Sequence, residues 1–250
     1  MTNKIDQTID RAITDRLVKK DRLRSQLHKS SGKLSASILY YPTLWQVLHT
    51  TGVEREEMEP YVLRKFARGN HVEAWLVNQI PGLIQEQKFL EYRDAIGYAD
   101  TIVDTANYDF KNGIVPNEIK SVTNAKFKWM IKKKGPDESH ILQVIFYALA
   151  MEAEHALLTY VAADDYQIKC FVLDTEDYKA KVDGIIDDYQ QAMKDWKKKK
   201  VLPAFKSRTK WQENPKYSAY PAFNGLNAKE AVEMMKQIES TQLKIEGVKK

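Results

Sequence analysis

Gly97-Tyr98-Ala99-Asp100 and, after a turn-rich gap, Glu118-Ile119-Lys120 are the stretches on which the reading of this chain turns. Both lie in segments with strand character, Ala95 to Val103 and Val115 to Val122, separated by Asn107 to Gly113. Opposed side chains on neighbouring strands come within about 5 Å, so Asp100 and Glu118 can share one divalent ion. Lys120 follows Glu118 by two residues, and alternate residues of a strand project from the same face. Its ammonium can orient an attacking water and offset charge on a phosphate at the same spot. Oxygen-only ligation suits magnesium or manganese, which leave positions open for water and a phosphate oxygen and lower the water's pKa. Taken singly, the two patterns also fit a turn-capping aspartate and a same-face surface ion pair.

Working outward, the grammar is that of an α/β domain. Ile5, Ile9, Ile13, Leu17, Leu23 and Leu27 recur at helical spacing and predict an amphipathic N-terminal helix from Lys4 to His28. Two short helices are expected between Ser35 and Gly52, interrupted by Pro42, and a longer one from Glu57 to Asn78, closed by Pro81-Gly82. Leu83 to Leu90 then joins the two strands above in an antiparallel meander. A helix over Ser139 to Glu154, strands over Ala156 to Ala162 and Gln167 to Leu173, a helix over Asp177 to Lys199 and a last one over Ala228 to Ile245 complete the order. This order predicts a mixed β-sheet flanked by helices, with helical N- and C-terminal extensions. The expected organisation is an N-terminal helix over 1–30, a catalytic domain over 31–205 and a C-terminal segment and helix over 206–250.

Composition narrows the classes. The 250 residues suffice for one sizeable core, and 29% charged against 43% hydrophobic residues describe a globular chain. No apolar run reaches the roughly 20 residues that span a bilayer, and the first residues lack a signal-peptide core, so no membrane partner and a cytoplasmic location are expected. Cys170 is the single cysteine, which rules out an internal disulfide and a cysteine-ligated cluster; its neighbours Ile168, Phe171 and Val172 predict a buried strand thiol. A net charge of +5 favours a polyanionic partner without naming one.

The surroundings of the carboxylates add specificity. Arg68-Gly69-Asn70-His71, Glu86, Gly97 to Asp100, Glu118 to Lys120 and Gln143-Val-Ile-Phe-Tyr147 follow one another as helix, strand, strand, strand, helix. This succession, over roughly Ser35 to Pro203, resembles the RecB-like branch of the PD-(D/E)XK nuclease superfamily, which includes CRISPR-adaptation nucleases and many phage exonucleases. The resemblance implies a restriction-endonuclease-like core and a metal-dependent nuclease. It implies that Asp100 and Glu118 are the metal carboxylates, that Ile119 and the helix histidine His71 complete the metal shell, and that Lys120 is the catalytic lysine. Gln143 and Tyr147 match the glutamine-tyrosine helix motif, whose i, i+4 spacing puts both on one helix face. Glu86 matches a recurrent acidic position, and Glu73, two residues beyond His71, is a possible substitute ligand. Relatives often carry an iron-sulfur cluster after the last helix; here Gln212 to Tyr220 contains no cysteine, so no cluster is expected.

Between Lys120 and the next helix runs a lysine-rich segment, with Lys126, Lys128, Lys132, Lys133 and Lys134 interleaved with Phe127 and Trp129 and no acid. It reads as a loop that neutralises phosphates and stacks bases, or as a solvated loop whose aromatics enter the core. Tyr40, Tyr41 and Trp45 read as core. The expected function is a magnesium- or manganese-dependent deoxyribonuclease, an exonuclease on single-stranded DNA or duplex ends in phage or bacterial recombination, repair or DNA degradation. The alternatives are a non-catalytic nucleic-acid-binding module on the same fold and a structure-specific endonuclease.

Overall fold

A mixed six-stranded sheet with helices on both faces forms the centre of the computed structural model, which describes residues 4–27, 31–106, 108, 113–214 and 218–248. In chain order the elements are α1 (Lys4–Leu27), β1 (Leu34–Ser35), α2 (Thr43–Thr50), α3 (Pro60–Val77), β2 (Leu83–Tyr92), β3 (Ala95–Asp104), β4 (Ile114–Val122), α4 (Asn124–Trp129), α5 (Glu138–Ala150), β5 (His155–Ala162), β6 (Ile168–Asp174), α6 (Glu176–Lys199), α7 (Lys210–Glu213) and α8 (Ala228–Val248). The antiparallel meander β2–β3–β4 forms as its alternation predicts, β5 joins β4 in parallel and β6 returns antiparallel beside β5. A parallel join needs a crossover, which α4 and α5 supply, and this crossover lays α5 across one face of the sheet. Part of the Asn107 to Gly113 connection lies outside the described residues.

The main core lies between the sheet and α2, α5 and α6, around Trp45, Leu142, Phe146, Leu158, Tyr160, Val182 and Ile186. A smaller one on the other face sets Val72, Leu76 and Val77 of α3 against Ile119 and Val161. Each face of β4 is thereby covered by a different helix. Gly82 fixes the turn from α3 into β2: its φ is +68°, and a Cβ there would lie 2.2 Å from the Asp104 carbonyl oxygen. The C-terminal segment adds Tyr220, Phe223, Ala231 and Met235 to the main core, and Trp45 packs on Phe205 at 5.7 Å and on Tyr220 at 6.5 Å. Trp45 and Tyr41 accordingly belong to the core.

Between Ser35 and Gly52 two short helices form on either side of Pro42 as expected, a 3-10 helix over Ala36–Ile38 and α2 with Pro42 at its N-cap, entered from the short strand β1, parallel to β3. Two other expectations change. The lysine-rich segment is helical rather than a loop, α4 running into a π-helical turn over Met130–Lys134. Thr123 caps it through the Lys126 N–H, and Phe127 and Met130, three residues apart on one side, are buried in the main core. Cys170 lies on β6 as expected, but on an edge strand where the residue is exposed. Its sulfur lies 3.4 Å from the Thr159 hydroxyl oxygen.

Candidate active site

The ladder between β3 and β4 runs from Asp104 opposite Ile114 to Thr101 opposite Asn117, and stops there. Asp100 and Glu118 are the next residues on each strand, so both carboxylates stand where the sheet splits. A buried polar chain pins the strands just below the split: the Asn117 amide donates to the Thr101 hydroxyl at 3.1 Å, and the Thr159 hydroxyl of β5 donates to Asn117 Oδ1 at 2.7 Å. Beyond the ladder, the backbone N–H of Ile119 donates to Asp100 Oδ2 at 2.8 Å. A side chain thus takes the place of the missing strand carbonyl.

Glu118 is 1% exposed, and its Oε1 accepts a hydrogen bond from the Lys120 ammonium. Its Oε2 is buried with no hydrogen-bond partner. A buried carboxylate half of whose oxygens is orphaned is costly, and its acidity reflects this. Burial pushes the Glu118 carboxyl up to about 8 despite Lys120, with Asp100 and Glu73 adding like charge. Burial also raises Asp100, against the pull of Lys120 and the Ile119 N–H. For Lys120 burial works downward, but Glu118 and Asp100 outweigh it and hold the ammonium above its ordinary value.

Glu73 of α3 is the third acid of this group. Its Oε1 accepts from the Gln87 amide at 3.0 Å, and the same amide lies 3.4 Å from Asp100 Oδ1. Burial and then the charge of Asp100 push Glu73 up to about 7. Gln87 reaches both acids from β2 with a left-handed φ of +47°, a conformation an L-residue adopts mid-strand only under constraint. Nothing in the local sequence signals that geometry, and Gln87 is a site residue that periodicity could not find.

The remaining predicted residues fall as follows. His71 is exposed on α3. Two helical residues are about 200° apart around the axis, so the turn that brings Glu73 to Gln87 carries His71 away from the acids. On α3 it is Glu73, not His71, that the structure brings beside Gln87 and the acids. Glu86 is exposed on β2 and bears on the cluster through the charge it adds to Glu73. Gln143 and Tyr147 do meet, the Gln143 amide donating to the Tyr147 hydroxyl at 3.0 Å. Burial, then the charge of Glu118, raises the Tyr147 hydroxyl well above its usual range. Gly97 makes room for that ring: a Cβ there would stand 2.7 Å from Tyr147 Cε1 and 2.8 Å from the Ala36 Cβ.

Sequence reasoning also missed His140 and Tyr160. Tyr160 is the β5 partner of Lys120; its hydroxyl accepts from the Asp137 N–H at 3.1 Å and meets His140 Nδ1 at 2.8 Å. Burial and the Lys120 charge push the His140 imidazole down to about 3, so the ring on the Tyr160 hydroxyl is neutral. In the lysine-rich segment, Lys126 is paired with Asp137, and Lys128 and Lys132 are exposed. Trp129 is 42% exposed, whereas Phe127 has entered the core. The side chains of Lys133 and Lys134 lie outside the described residues.

Among the described residues, no three His, Cys, Asp or Glu side chains converge as a ready-made metal cage. The donor set is two carboxylates at a strand split, one with an unsatisfied buried oxygen, and this fits a hard divalent cation that keeps waters of its own. No described helix is long and apolar enough to cross a membrane.

No protein-family model and no curated protein matches the sequence. Among solved structures, the chain is similar to an alkaline exonuclease, LHK-Exo, from Laribacter hongkongensis: 18% identity, 68% of this chain and 94% of that one, TM-score 0.48. The same exonuclease in complex with dAMP matches at 16% identity over 68% of this chain and 93% of that one, with a TM-score of 0.49. SSO0001 is similar at 18% identity over 86% of this chain and 98% of that one, with a TM-score of 0.48.

Proposed function

We propose that the chain is a PD-(D/E)XK-type, divalent-metal-dependent deoxyribonuclease that hydrolyses phosphodiester bonds, an exonuclease acting on single-stranded DNA or duplex ends. The observation that carries this reading is Glu118: a carboxylate 1% exposed, one oxygen on Lys120 and the other without a partner, beside Asp100 at the mouth of a split sheet. A magnesium or manganese ion held by Asp100, Glu118 and the Ile119 carbonyl would lower the pKa of its bound water and polarise the phosphate. Lys120 holds a proton and a positive charge at the same point, where it can orient a water and offset charge that builds on the phosphate oxygens. Glu73 and Gln87 close the far side of the acid group, fixing Asp100 Oδ1. The Lys120 ammonium is committed to Glu118, and the neutral His140–Tyr160 pair on the neighbouring strand and helix adds no competing charge.

A non-catalytic DNA-binding module is disfavoured by the same residues, because a pure binder gains nothing from placing buried carboxyl groups beside a phosphate. The test is cleavage of linear, covalently closed circular and end-blocked DNA with magnesium, manganese or chelator. Degradation of linear DNA alone, abolished by chelator and by Glu118→Gln, is the expected result. Cleavage of closed circles would replace the exonuclease reading by an endonuclease, and cleavage unaffected by Glu118→Gln would remove the site assignment.

A further inference from the structure

Phe89 and Tyr98 are an unusual pair to leave in water. They are direct cross-strand partners on β2 and β3, their rings 5.3 Å apart and inclined at 60°, yet Phe89 is 49% and Tyr98 56% exposed. Position connects them to the acids. On β3, Gly97 and Ala99 face the core while Tyr98 and Asp100 do not, so Tyr98 shares a face with Asp100 and stands two residues, about 6.6 Å, from it along the strand. On β2, Phe89 stands two residues from Gln87, whose amide reaches Asp100 Oδ1. The aromatic pair and the acid group thus form one continuous surface.

We infer that Phe89 and Tyr98 are a stacking platform for the nucleobase next to the scissile phosphate, so that the site takes a nucleic-acid strand with unstacked bases. The inference rests on the phosphodiesterase reading for the position of the phosphate. A phosphate held at Asp100, Glu118 and Lys120 puts the base of its own or the adjoining nucleotide within reach of rings one strand step away. At 60° the rings do not lie flat on one another, which leaves ring faces free to receive a base. Stacking on such rings is sequence-tolerant, because every base has a π-face, and is available only to a base that has left the duplex stack. An occupant that arrives with the substrate accounts for an exposed aromatic pair in contact across two strands beside the acids.

The test uses the full chain with Phe89→Leu/Tyr98→Leu, which keeps apolar bulk but removes both rings, and Phe89→Tyr/Tyr98→Phe, which keeps them. Three probes separate the steps: a single-stranded oligonucleotide carrying 2-aminopurine, its blunt duplex, and bis(p-nitrophenyl) phosphate, which has no base. The leucine variant is expected to raise KM for the single strand about tenfold or more, with little change in kcat or in turnover of the small diester. The aromatic-swap variant should behave as wild type. Quenching of 2-aminopurine on binding in chelator should be seen with wild type and lost in the leucine variant. Unchanged single-strand KM and unchanged quenching in the leucine variant would overturn the platform while the nuclease reading stands. Failure of wild type to cleave any probe would remove the nuclease reading, and the quenching measurement would still decide the platform. A fall in oligomeric mass in the leucine variant, with quenching retained, would assign the pair to contact between copies and overturn the platform.

Discussion

Replacing Gly97 by alanine tests the packing that holds the helix motif to the acid site. The added Cβ would lie 2.7 Å from Tyr147 Cε1 and 2.8 Å from the Ala36 Cβ, where ordinary carbon contacts are about 3.5–4.0 Å. The overlap comes from two sides. Ala36 sits in the backbone of a 3-10 turn and has no side-chain freedom, so the Tyr147 ring, 2% exposed and tied to Gln143, must give way. Overpacking of this kind costs about 1–3 kcal/mol, which for a chain of this length is a Tm about 2–12 °C lower. The assay is thermal unfolding in chelator of Gly97→Ala, Tyr147→Leu and the double variant. In the Tyr147→Leu background the cost of Gly97→Ala should fall by half or more, because the two positions are in contact and their effects couple. A Tm for Gly97→Ala within about 1 °C of wild type, or an equal cost in both backgrounds, would refute the reasoning.

Glu73→Gln is expected to lower cleavage at least tenfold while His71→Ala leaves it within about twofold, as the helical phase suggests; the reverse order in a steady-state assay would favour His71 over Glu73 as the α3 ligand. Lys120→Met should reduce kcat by about a hundredfold or more, the size of a lost transition-state donor, and a loss confined to KM would mean that Lys120 only binds. Glu118 and Glu73 are held at about 8 and about 7, above their unfolded value near 4.5, so their ionisation opposes folding. Stability of the metal-free chain is then full below about pH 4.5 as far as these groups go and is lost as pH rises toward 7–8. Manganese should therefore raise Tm more at pH 8.5 than at pH 5.5; an equal rise at both would contradict the raised carboxyls. Asp100→Asn keeps an acceptor for the Ile119 N–H and should lose cleavage with stability nearly intact, whereas Asp100→Ala should also cost about 1–3 kcal/mol in urea unfolding.

What the sequence made legible was whatever depends on a short period. Glu118 and Lys120 share a face because strands alternate, and Gln143 meets Tyr147 because helices repeat, so fixed offsets were enough to place each pair together, while their roles came from the resemblance. The choice between His71 and Glu73 was also within reach: Val72, Leu76 and Val77 mark the buried side of α3, and 100° per residue places Glu73 near its middle and His71 opposite. The helix phase was a better guide there than the identity of the residue. The lysine-rich segment failed for the converse reason, because charge masked the Phe127 and Met130 spacing that makes it a helix. Gln87 and the Thr101, Asn117 and Thr159 chain were beyond sequence: the first needs a left-handed φ at a non-glycine residue, the second a register between β4 and β5 set by a crossover.

That buried chain explains why the site lies where it does. Thr101, Asn117 and Thr159 satisfy one another across three strands, so the sheet stays closed through that level at little polar cost. One residue further, β3 and β4 part, and the Ile119 N–H would be an orphan donor if Asp100 did not accept from it. Asp100 Oδ2 is thus committed to the fold, and Oδ1 is the oxygen left to face Gln87 and a ligand. Glu118 shows the same division, Oε1 on Lys120 and Oε2 unpartnered. Each acid commits one oxygen to a hydrogen bond within the fold, Asp100 across the split and Glu118 along β4, and has the other left over. A single hard cation placed between two such oxygens would satisfy both, which is why the place where the strands part is also the candidate site of chemistry.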